Sequence, residues 1–275
     1  SLAAGSRALA REKVLVKRMV CIEDLGDIEV LYTDKTGTLT HGRIDFMRAI
    51  GSDGQEDTEA LVLGLVCNAA TVVDGHPVSG SALDRALWES PAAISHAAEV
   101  GRWRVTGERP FDHVTRTAAV TATAPDGGEW LIVKGAPETI TPTCPDITTA
   151  ASARIAEEFG AGNRVIAVAR AAIAGPPDRM LREPLQRMDF VGLLVFLDPP
   201  RPDASAAITR LRALGVDVKI VTGDNATVAE HVCDELGLTG GATLTGRELD
   251  ALDDTALAAR LPGTRVFARV SPEQK

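Results

Sequence analysis

Short apolar runs that end in polar turns mark the first and last parts of this chain. Runs of this length predict buried strands, and apolar positions at helical spacing between them predict helices. The predicted strands are residues 28–33, 191–197, 216–221 and 265–268, and the predicted helices are 203–215, with Asp203 as its cap, and 226–236. Strands that alternate with helices in this way are typical of a parallel α/β sheet.

The middle of the chain follows a different pattern, in which β-type segments come in succession. The predicted strands here are 99–105, 117–124, 130–134 and 164–170, and the predicted helices are 56–69, 79–89 and 152–159. This order predicts an α/β domain (residues 1–45 and 188–275) interrupted by an inserted α+β domain on an antiparallel sheet (residues 46–187). The two chain crossings between the domains would form a hinge.

The composition narrows the possible functions. The 275 residues are enough for two domains, and 45% hydrophobic and 24% charged residues are typical of a globular protein. A net charge of −9 argues against broad binding to nucleic acid or anionic lipid. The four cysteines are far apart, which favours reduced thiols. No apolar stretch reaches the roughly 18 to 20 residues of a membrane span.

The first predicted strand leads directly into Asp34-Lys35-Thr36-Gly37-Thr38-Leu39-Thr40. A carboxylate at the end of a parallel strand lies where open α/β sheets bind their ligands. Gly37 permits a tight turn, and the threonines supply hydroxyls and amides that suit phosphate. A carboxylate in this setting can act as a nucleophile that accepts a phosphoryl group.

These seven residues are identical to the phosphorylation motif of the P-type ATPases, ion pumps that pass through an aspartyl-phosphate, and the chain resembles that family. The alternative is a polar turn with an incidental aspartate, but a seven-residue match favours the functional interpretation. The resemblance implies a truncated haloacid dehalogenase-like Rossmannoid parallel sheet that carries Asp34, with an inserted nucleotide-binding domain. It also implies ATP as the substrate, Mg²⁺ as the cofactor and Asp34 as the nucleophile.

Segments of the middle region resemble the nucleotide-binding domain of the same family. Lys134-Gly135-Ala136-Pro137-Glu138 resembles a signature whose lysine lines the adenine pocket, and Phe111 matches a phenylalanine that stacks on adenine. Taken singly, each segment has a plain structural alternative, such as a core phenylalanine or a strand-to-helix turn. The residues that the resemblance assigns to nucleotide binding in this region are Asp84, Phe111, Arg116, Lys134, Gly135 and Arg164.

The last part of the chain supplies further matches. Asp198-Pro199-Pro200-Arg201 resembles the family's hinge motif, in which Asp198 and Arg201 would help to hold the domains and the nucleotide. Thr222-Gly223-Asp224 ends a predicted strand as Asp34 does; Thr222 and Gly223 suit the transferred phosphoryl oxygens, and Asp224 belongs with the nucleotide-binding residues. Lys275 matches a lysine that pairs with the phosphoryl group or the aspartate. We therefore expect Asp34, Thr222 and Lys275 to converge on one cleft.

The sequence ends before the family's Gly-Asp-Gly-x-Asn-Asp run, whose aspartate binds Mg²⁺ opposite the nucleophile. The remaining metal ligands would be the carboxylate of Asp34 and the carbonyl of Thr36, fewer than the octahedral oxygen set that Mg²⁺ prefers. We expect a truncated fragment with an exposed sheet edge beside the strand of Asp34. Such a fragment would bind nucleotide but be weakly active or inactive in phosphorylation.

Other interpretations stay open beside the pump. A soluble haloacid dehalogenase-type phosphatase with a large cap usually has a second aspartate two positions after the nucleophile, where this chain has Thr36. His76-Pro77 resembles a motif of heavy-metal pumps, although those pumps lack the lysine signature and the stacking phenylalanine. A third alternative is a nucleotide-sensing module without enzymatic activity.

For the pump, the resemblance implies further partners and a location. The partners are ATP and the transmembrane and actuator domains of the same protein, with no nucleic acid, and the location is the cytoplasmic face of the cell membrane. Residues 22–26 and 264–269 look most like magnesium, calcium or proton pumps. Ion selectivity would reside in membrane helices outside this sequence.

Overall fold

The computed structural model describes residues 2–73, 76–173 and 175–275. These residues form a four-stranded sheet, a six-stranded sheet and a two-stranded ladder. The strands are β1 (Val30–Asp34), β2 (Asp45–Gly51), β3 (Val72–Val73), β4 (His76–Pro77), β5 (Arg104–Asp112), β6 (Thr117–Thr123), β7 (Glu129–Gly135), β8 (Arg164–Ala172), β9 (Asp189–Leu197), β10 (Asp217–Val221), β11 (Ala242–Thr245) and β12 (Thr264–Ala268). The helices are α1 (Leu2–Arg11), α2 (Cys21–Asp24), α3 (Glu59–Val66), α4 (Ala82–Trp88), α5 (Pro91–Val100), α6 (Pro137–Ile140), α7 (Thr149–Gly160), α8 (Pro177–Arg182), α9 (Ala204–Ala213), α10 (Ala226–Glu235), α11 (Gly246–Asp250) and α12 (Asp254–Arg260).

The first and last parts of the chain form a parallel sheet with the strand order β1-β10-β12-β11. Asp34 lies opposite Val221 in the parallel pair of β1 and β10, so both strands end at the same edge of the sheet. Ile208 of α9 and Val232 of α10 pack with Ile220 of β10 in one buried cluster. This apolar core fixes the position of the strand ends that carry the polar turns.

Strand β1 lies at the edge of the parallel sheet. Among the described residues its one hydrogen-bonded neighbour is β10. The side chains of Val30 and Tyr32 are 42% and 48% exposed, which is high for apolar residues of a strand. The exposed edge expected beside the strand of Asp34 is therefore present.

The middle of the chain forms an antiparallel sheet with the strand order β2-β9-β8-β7-β6-β5. Successive residues contribute to opposite faces: Ile132 and Leu194 belong to one buried cluster, and Val133 and Leu193 belong to the other. Helix α3 covers the first face and α7 covers the second. The predicted mixed α/β class, with a parallel sheet and a separate antiparallel sheet, is confirmed.

Strand β9 corrects one part of the predicted organisation. The sequence placed residues 191–197 with the second part of the α/β domain, but β9 pairs antiparallel with β2 and β8 inside the six-stranded sheet. A continuous apolar run is typical of any strand buried on both faces, so the pattern could not distinguish the two sheets. We propose that the inserted domain extends to about Leu197; the other limits, at residues 45 and 46, stay predictions.

The two crossings between the sheets run side by side. Thr40 forms a bridge with Pro200, and the amide of Arg201 donates to the carbonyl of Leu39 over 2.8 Å. The amide of His41 donates to the carbonyl of Pro199 over 3.1 Å. Adjacent crossings of this kind suit the predicted hinge, because few backbone torsions would have to change for the domains to move.

Two local predictions were wrong. Residues 99 and 100 belong to α5, and β5 begins at Arg104, because Ser90 accepts a hydrogen bond from the amide of Ala93 (3.1 Å) and Pro91 occupies the first turn. Asp203 occupies the N-cap position of α9, but its carboxylate pairs with Arg201 (3.0 Å) and accepts no capping hydrogen bond from the helix. Among the helices of the described residues, none has the length and apolar character that a membrane span requires.

Candidate active site

Asp34 is the last residue of β1, and a tight loop follows it. Gly37 adopts a φ of +77°, a conformation that favours glycine. The amide of Gly37 donates to Thr40 Oγ1 (3.2 Å), and the amide of Thr40 donates to the carbonyl of Lys35 (3.1 Å). The buried Thr40 hydroxyl donates to Asp198 Oδ2 (2.8 Å). These hydrogen bonds fix the loop on its buried side. The Asp34 side chain is 46% exposed and accessible to a substrate.

Of the three residues expected to converge, Lys275 and Asp34 are in contact and Thr222 directly follows the neighbouring strand, while a cleft shared by all three side chains stays a prediction. Lys275 Nζ donates to Asp34 Oδ2 over 2.8 Å. Thr222 follows Val221, the residue opposite Asp34, and its amide donates to the carbonyl of Phe267 over 2.8 Å. Asp34, Thr222 and Lys275 therefore border one edge of the parallel sheet.

Lys35 is a functional candidate that the sequence did not indicate. Its side chain is 3% exposed, and its Nζ lies 2.6 Å from Asp224 Oδ2 and 3.9 Å from Asp198 Oδ2. The sequence did contain a signal for this burial, because successive side chains along an extended segment point to opposite sides. If the side chain of Asp34 is exposed, that of Lys35 is expected to be buried.

Asp224 is held between two cations. Arg164 Nη2 lies 3.5 Å from Asp224 Oδ1, opposite the contact with Lys35. Burial alone would raise the pKa of Asp224, but the charges of Arg164 and Lys35 outweigh burial and lower it. The ionised carboxylate thus joins β8 of the inserted domain to the loop that follows Asp34.

A cavity of about 540 Å³ extends from the antiparallel sheet to the loop after β1. This volume is within the range of small-molecule sites, and much of the wall is apolar. The predicted site residues that line the cavity are Thr36, Asp84, Phe111, Lys134, Gly135 and Arg164. One cavity therefore connects the predicted adenine-binding residues with the predicted phosphorylation loop.

A buried ion pair lies in the wall of this cavity. Lys134 Nζ is 2.5 Å from Asp84 Oδ1, and the two side chains are 14% and 9% exposed. Ser81 caps α4 by accepting from the amide of Asp84 (3.2 Å), and its hydroxyl donates to Asp84 Oδ2 (2.9 Å). Cys67 lines the same wall, and burial raises its pKa to about 11, so the thiol is protonated. The pair offers one carboxylate and one ammonium in apolar surroundings.

Phe111 and Gly135 both line the cavity. Phe111 is 53% exposed, and its ring meets His113 edge-on with 5.1 Å between the ring centroids. A Cβ at Gly135 would lie 2.3 Å from the carbonyl oxygen of Arg116, so the two backbones approach more closely than any other residue permits. An exposed aromatic face beside a narrow backbone crossing suits a planar ligand.

Four of the predicted nucleotide-binding residues, Arg116, Asp198, Arg201 and Asp224, lie outside the wall of the cavity. Arg116 Nη2 donates to the carbonyl of Arg269 over 3.1 Å. Arg201 Nε and Nη2 donate to the carboxylate of Asp203 over 3.0 and 3.2 Å. Asp198 and Asp224 lie in the buried cluster around Lys35.

The polar turns at the ends of adjacent parallel strands define a class of protein, and sequence comparison identifies it. The profile of the haloacid dehalogenase-like hydrolases matches residues 28–248, and the chain belongs to this family. The chain is 32% identical over its whole length to the Magnesium-transporting ATPase, P-type 1, of Salmonella typhimurium, and it covers 32% of that protein. The equivalent protein of Escherichia coli is 30% identical over the whole chain, with 32% of its length covered.

Similarity extends to another pump. The chain is 28% identical over 90% of its length to Plasma membrane ATPase 1 of Candida albicans, of which it covers 28%. The resemblance to the P-type ATPases is thus confirmed along the chain. The chain spans about a third of the length of the curated relatives it matches.

The oxygen atoms beside Asp34 fit Mg²⁺ in part. The Asp34 carboxylate and the Thr36 carbonyl are the hard oxygen donors that Mg²⁺ prefers, and this ion is usually held by one or two carboxylates together with substrate phosphates. The described residues contain no cluster of three or more histidine, cysteine or acidic side chains that could hold a metal ion.

Proposed function

We propose that this chain is the cytoplasmic ATP-binding and autophosphorylating region of a P-type cation-transporting ATPase, with Asp34 as the residue that is phosphorylated. The observation that carries the proposal is the single cavity that Phe111 and Lys134 share with Thr36 of the loop after β1. A nucleotide whose base lies at Phe111 would extend its phosphates towards that loop.

At the nucleotide end, recognition would rest on shape and two charges. The exposed ring of Phe111 would stack on the base, a contact worth about 1–3 kcal/mol in comparable cases. The Asp84–Lys134 pair would hydrogen-bond the edge of the base, since it presents an acceptor and a donor. Arg164, which lines the cavity and contacts Asp224, would meet the phosphates.

At the phosphate end, one carboxylate oxygen of Asp34 would attack the γ-phosphorus while the bond to the β-γ bridging oxygen breaks and ADP leaves. Lys275 would move its ammonium from Asp34 Oδ2 to the transferred group and offset its charge. The Thr222 hydroxyl and the Gly223 amide would bind the phosphoryl oxygens. Asp34 and Thr36 would hold Mg²⁺, which as a bound cation supplies charge neutralisation for the phosphates.

In the whole protein, the aspartyl-phosphate would drive membrane segments between two access states. The chain would then lie on the cytoplasmic face of the membrane, beside transmembrane and actuator domains. The names of the bacterial relatives favour magnesium as the transported ion.

A soluble phosphatase is the second candidate, and Thr36 disfavours it. Such phosphatases use a second aspartate as the acid and base that hydrolyse the phosphoenzyme, and threonine cannot serve in that role at neutral pH. A long-lived phosphoenzyme suits a pump, because the protein has time to change conformation.

Nucleotide titration of the chain tests the binding half of the proposal. We expect Phe111→Ala and Lys134→Ala each to weaken ATP binding about tenfold, as loss of a stacking or charged contact does. Val114→Ala is the matched control, because Val114 lies in the turn directly after β5, is 91% exposed and lies outside the wall of the cavity. Unchanged affinity in both variants would contradict the adenine-site assignment.

Phosphoryl incorporation in the full-length protein tests the catalytic half. Asp34→Asn keeps the size of the side chain but removes the nucleophilic oxygen, so incorporation from labelled ATP should disappear. Labelled phosphate that persists in Asp34→Asn would show that another residue is the acceptor.

A further inference from the structure

The carboxylate of Glu138 joins the inserted domain to the parallel-sheet domain. Glu138 lies in α6, directly after β7 of the antiparallel sheet, and its Oε1 accepts from Arg269 Nη2 (2.6 Å) and Nε (3.1 Å). The same oxygen accepts from Asn225 Nδ2 over 2.7 Å. Asn225 and Arg269 follow β10 and β12, so all three contacts cross between the domains.

Arg269 is also bound to the turn that follows β10. Its Nη1 donates to the carbonyl of Gly223 (3.2 Å), and its amide donates to the carbonyl of Asp224 (3.0 Å). Its own carbonyl accepts from Arg116 Nη2 of the inserted domain (3.1 Å). One residue therefore contacts both the inserted domain and the turn proposed to hold the phosphoryl group.

The backbone of Arg269 is strained. Its φ is +53°, a left-handed conformation that is uncommon outside glycine. Such a conformation persists only where surrounding contacts hold it. The hydrogen bonds to Glu138, Gly223 and Asp224 are the contacts that do so here.

We propose that Glu138 and Arg269, with Asn225, form a latch that holds the inserted domain closed on the parallel-sheet domain, and that Arg269 is a positioning residue for the turn at Gly223. The term latch below refers to these three residues. The functional meaning rests on the proposed function, since closure would carry a bound nucleotide to Asp34, whereas the latch itself requires no nucleotide.

The charges around the latch explain why Glu138 is needed. The guanidinium group of Arg116 donates to the carbonyl of Arg269 and so lies near a second positive charge, and burial and then the charge of Arg269 lower the pKa of Arg116. Burial would raise the pKa of Glu138, but Arg269 and the hydrogen bond from Asn225 lower it, so the carboxylate is ionised at neutral pH. Without that charge, the repulsion between the two arginines would have no compensation and would favour opening.

The test measures the distance between the domains in the chain without nucleotide. Two spin labels are placed on exposed positions, one in each domain, after Ser95→Cys and Asp254→Cys, with the exposed Cys21 changed to Ser. Pulsed electron paramagnetic resonance then measures the distribution of distances between the two labels, which gives the fractions of open and closed molecules. The variants are Glu138→Gln, Arg269→Gln and their combination.

We expect each single variant to raise the ratio of open to closed molecules about fivefold, the effect of losing one partly exposed ion pair. The double variant should open no further than the single ones, because the two residues act through one contact. Glu59→Gln is the matched control: it removes the same charge from a 2.6 Å pair with Arg170 that lies wholly within the inserted domain, and should leave the ratio unchanged.

Two results would overturn the latch. One is a distance distribution in Glu138→Gln that equals that of the unchanged chain; the other is equal opening in Glu59→Gln. If Glu138→Gln should unfold, Arg269→Lys keeps the charge but loses the forked contact, and must still open partly. If Phe111→Ala binds ATP as tightly as the unchanged chain, the proposed function is contradicted. That result does not affect the latch, which requires no nucleotide.

A second readout separates positioning from general stability. In the full-length protein, Glu138→Gln should slow phosphoryl incorporation at saturating ATP by at most about fivefold, in proportion to the closed fraction that the distance measurement shows to be lost. The ATP concentration that gives half of the maximal rate should change less than the rate itself, because the latch does not line the cavity. A change confined to that concentration would contradict the positioning role.

Discussion

The ammonium of Lys35 lies 2.6 Å from the carboxylate of Asp224, and this ion pair joins the loop after β1 to the turn after β10. Both side chains are nearly buried, at 3% and 4% exposed. The pair therefore holds in place the loop that begins after Asp34. This role does not require either group to contact the substrate. Its consequences can be tested without nucleotide.

Replacement of the buried lysine should destabilise the fold. Lys35→Met keeps the length of the side chain but takes the lysine charge away from Asp198 and leaves Asp224 with Arg164 alone, and removal of one partner of a buried pair costs about 3–5 kcal/mol. We expect the free energy of unfolding in urea to fall by about this amount. Lys17→Met, at an exposed position, is the control and should stay within about 0.5 kcal/mol of the unchanged chain. Equal unfolding midpoints for the two variants would refute the importance of the pair.

The stabilising effect of Asp224 should depend on pH in a defined direction. The pKa of Asp224 is lowered from 3.8, so the carboxylate stabilises the fold above that value and loses its contribution as the pH falls through the lowered pKa. The difference in unfolding free energy between the chain and Asp224→Asn should be constant near neutral pH and should shrink below 3.8.

The matched control for this pH series is Asp234→Asn. Asp234 is exposed, so its removal should change the free energy of unfolding by only a small amount. A difference for Asp224→Asn that grows on acidification would mean that the folded protein raises the pKa of this carboxyl group.

The sequence predicts those parts of the site that are close together along the chain and does not predict contacts between distant residues. The seven residues from Asp34 are contiguous, and the apolar runs before Asp34 and Thr222 fix two parallel strand ends, so their convergence follows from local patterns. Lys35 meets Asp224, and Glu138 meets Arg269, only because the chain folds back over more than a hundred residues. No local pattern encodes such pairings.

Burial patterns also have limits that β9 illustrates. Its apolar run predicts a strand with both faces covered, which is what the structure contains. The run does not say whether the neighbours are parallel or antiparallel, and β9 proved to pair with β2 and β8. Which strands pair with β9 depends on where the other strands of the chain lie. The apolar run of β9 contains no information about them.

Gly135 should tolerate no side chain. A Cβ there would lie 2.3 Å from the carbonyl oxygen of Arg116, and backbone atoms cannot move aside as a flexible side chain can. We expect Gly135→Ala to lower the free energy of unfolding by about 1–3 kcal/mol, as overpacking does. Gly160→Ala, where a Cβ meets nothing within 4 Å, is the control and should be neutral or stabilising by up to about 1 kcal/mol. Gly135→Ala with control-like stability would show that β6 and β7 can separate at this point.

Substitution of Lys275 should affect phosphoryl transfer but not the stability of the fold. Its contact with Asp34 is between side chains that are 35% and 46% exposed, and pairs this exposed contribute about 1 kcal/mol or less. We therefore expect Lys275→Met to leave the unfolding midpoint of the chain almost unchanged. In the full-length protein, the same substitution should slow phosphoryl incorporation from ATP about a hundredfold, because a positioned charge acts most strongly on the transferring phosphoryl group.

Arg247→Met is the control for that measurement, since it removes an exposed positive charge from α11, outside the wall of the cavity. If Lys275→Met phosphorylates at the rate of this control, the lysine serves only to hold Asp34 before ATP binds. If it loses both stability and activity, the contact with Asp34 supports the fold of the sheet edge rather than the chemistry. Only slow transfer in a stable protein is consistent with an ammonium that acts on the phosphoryl group.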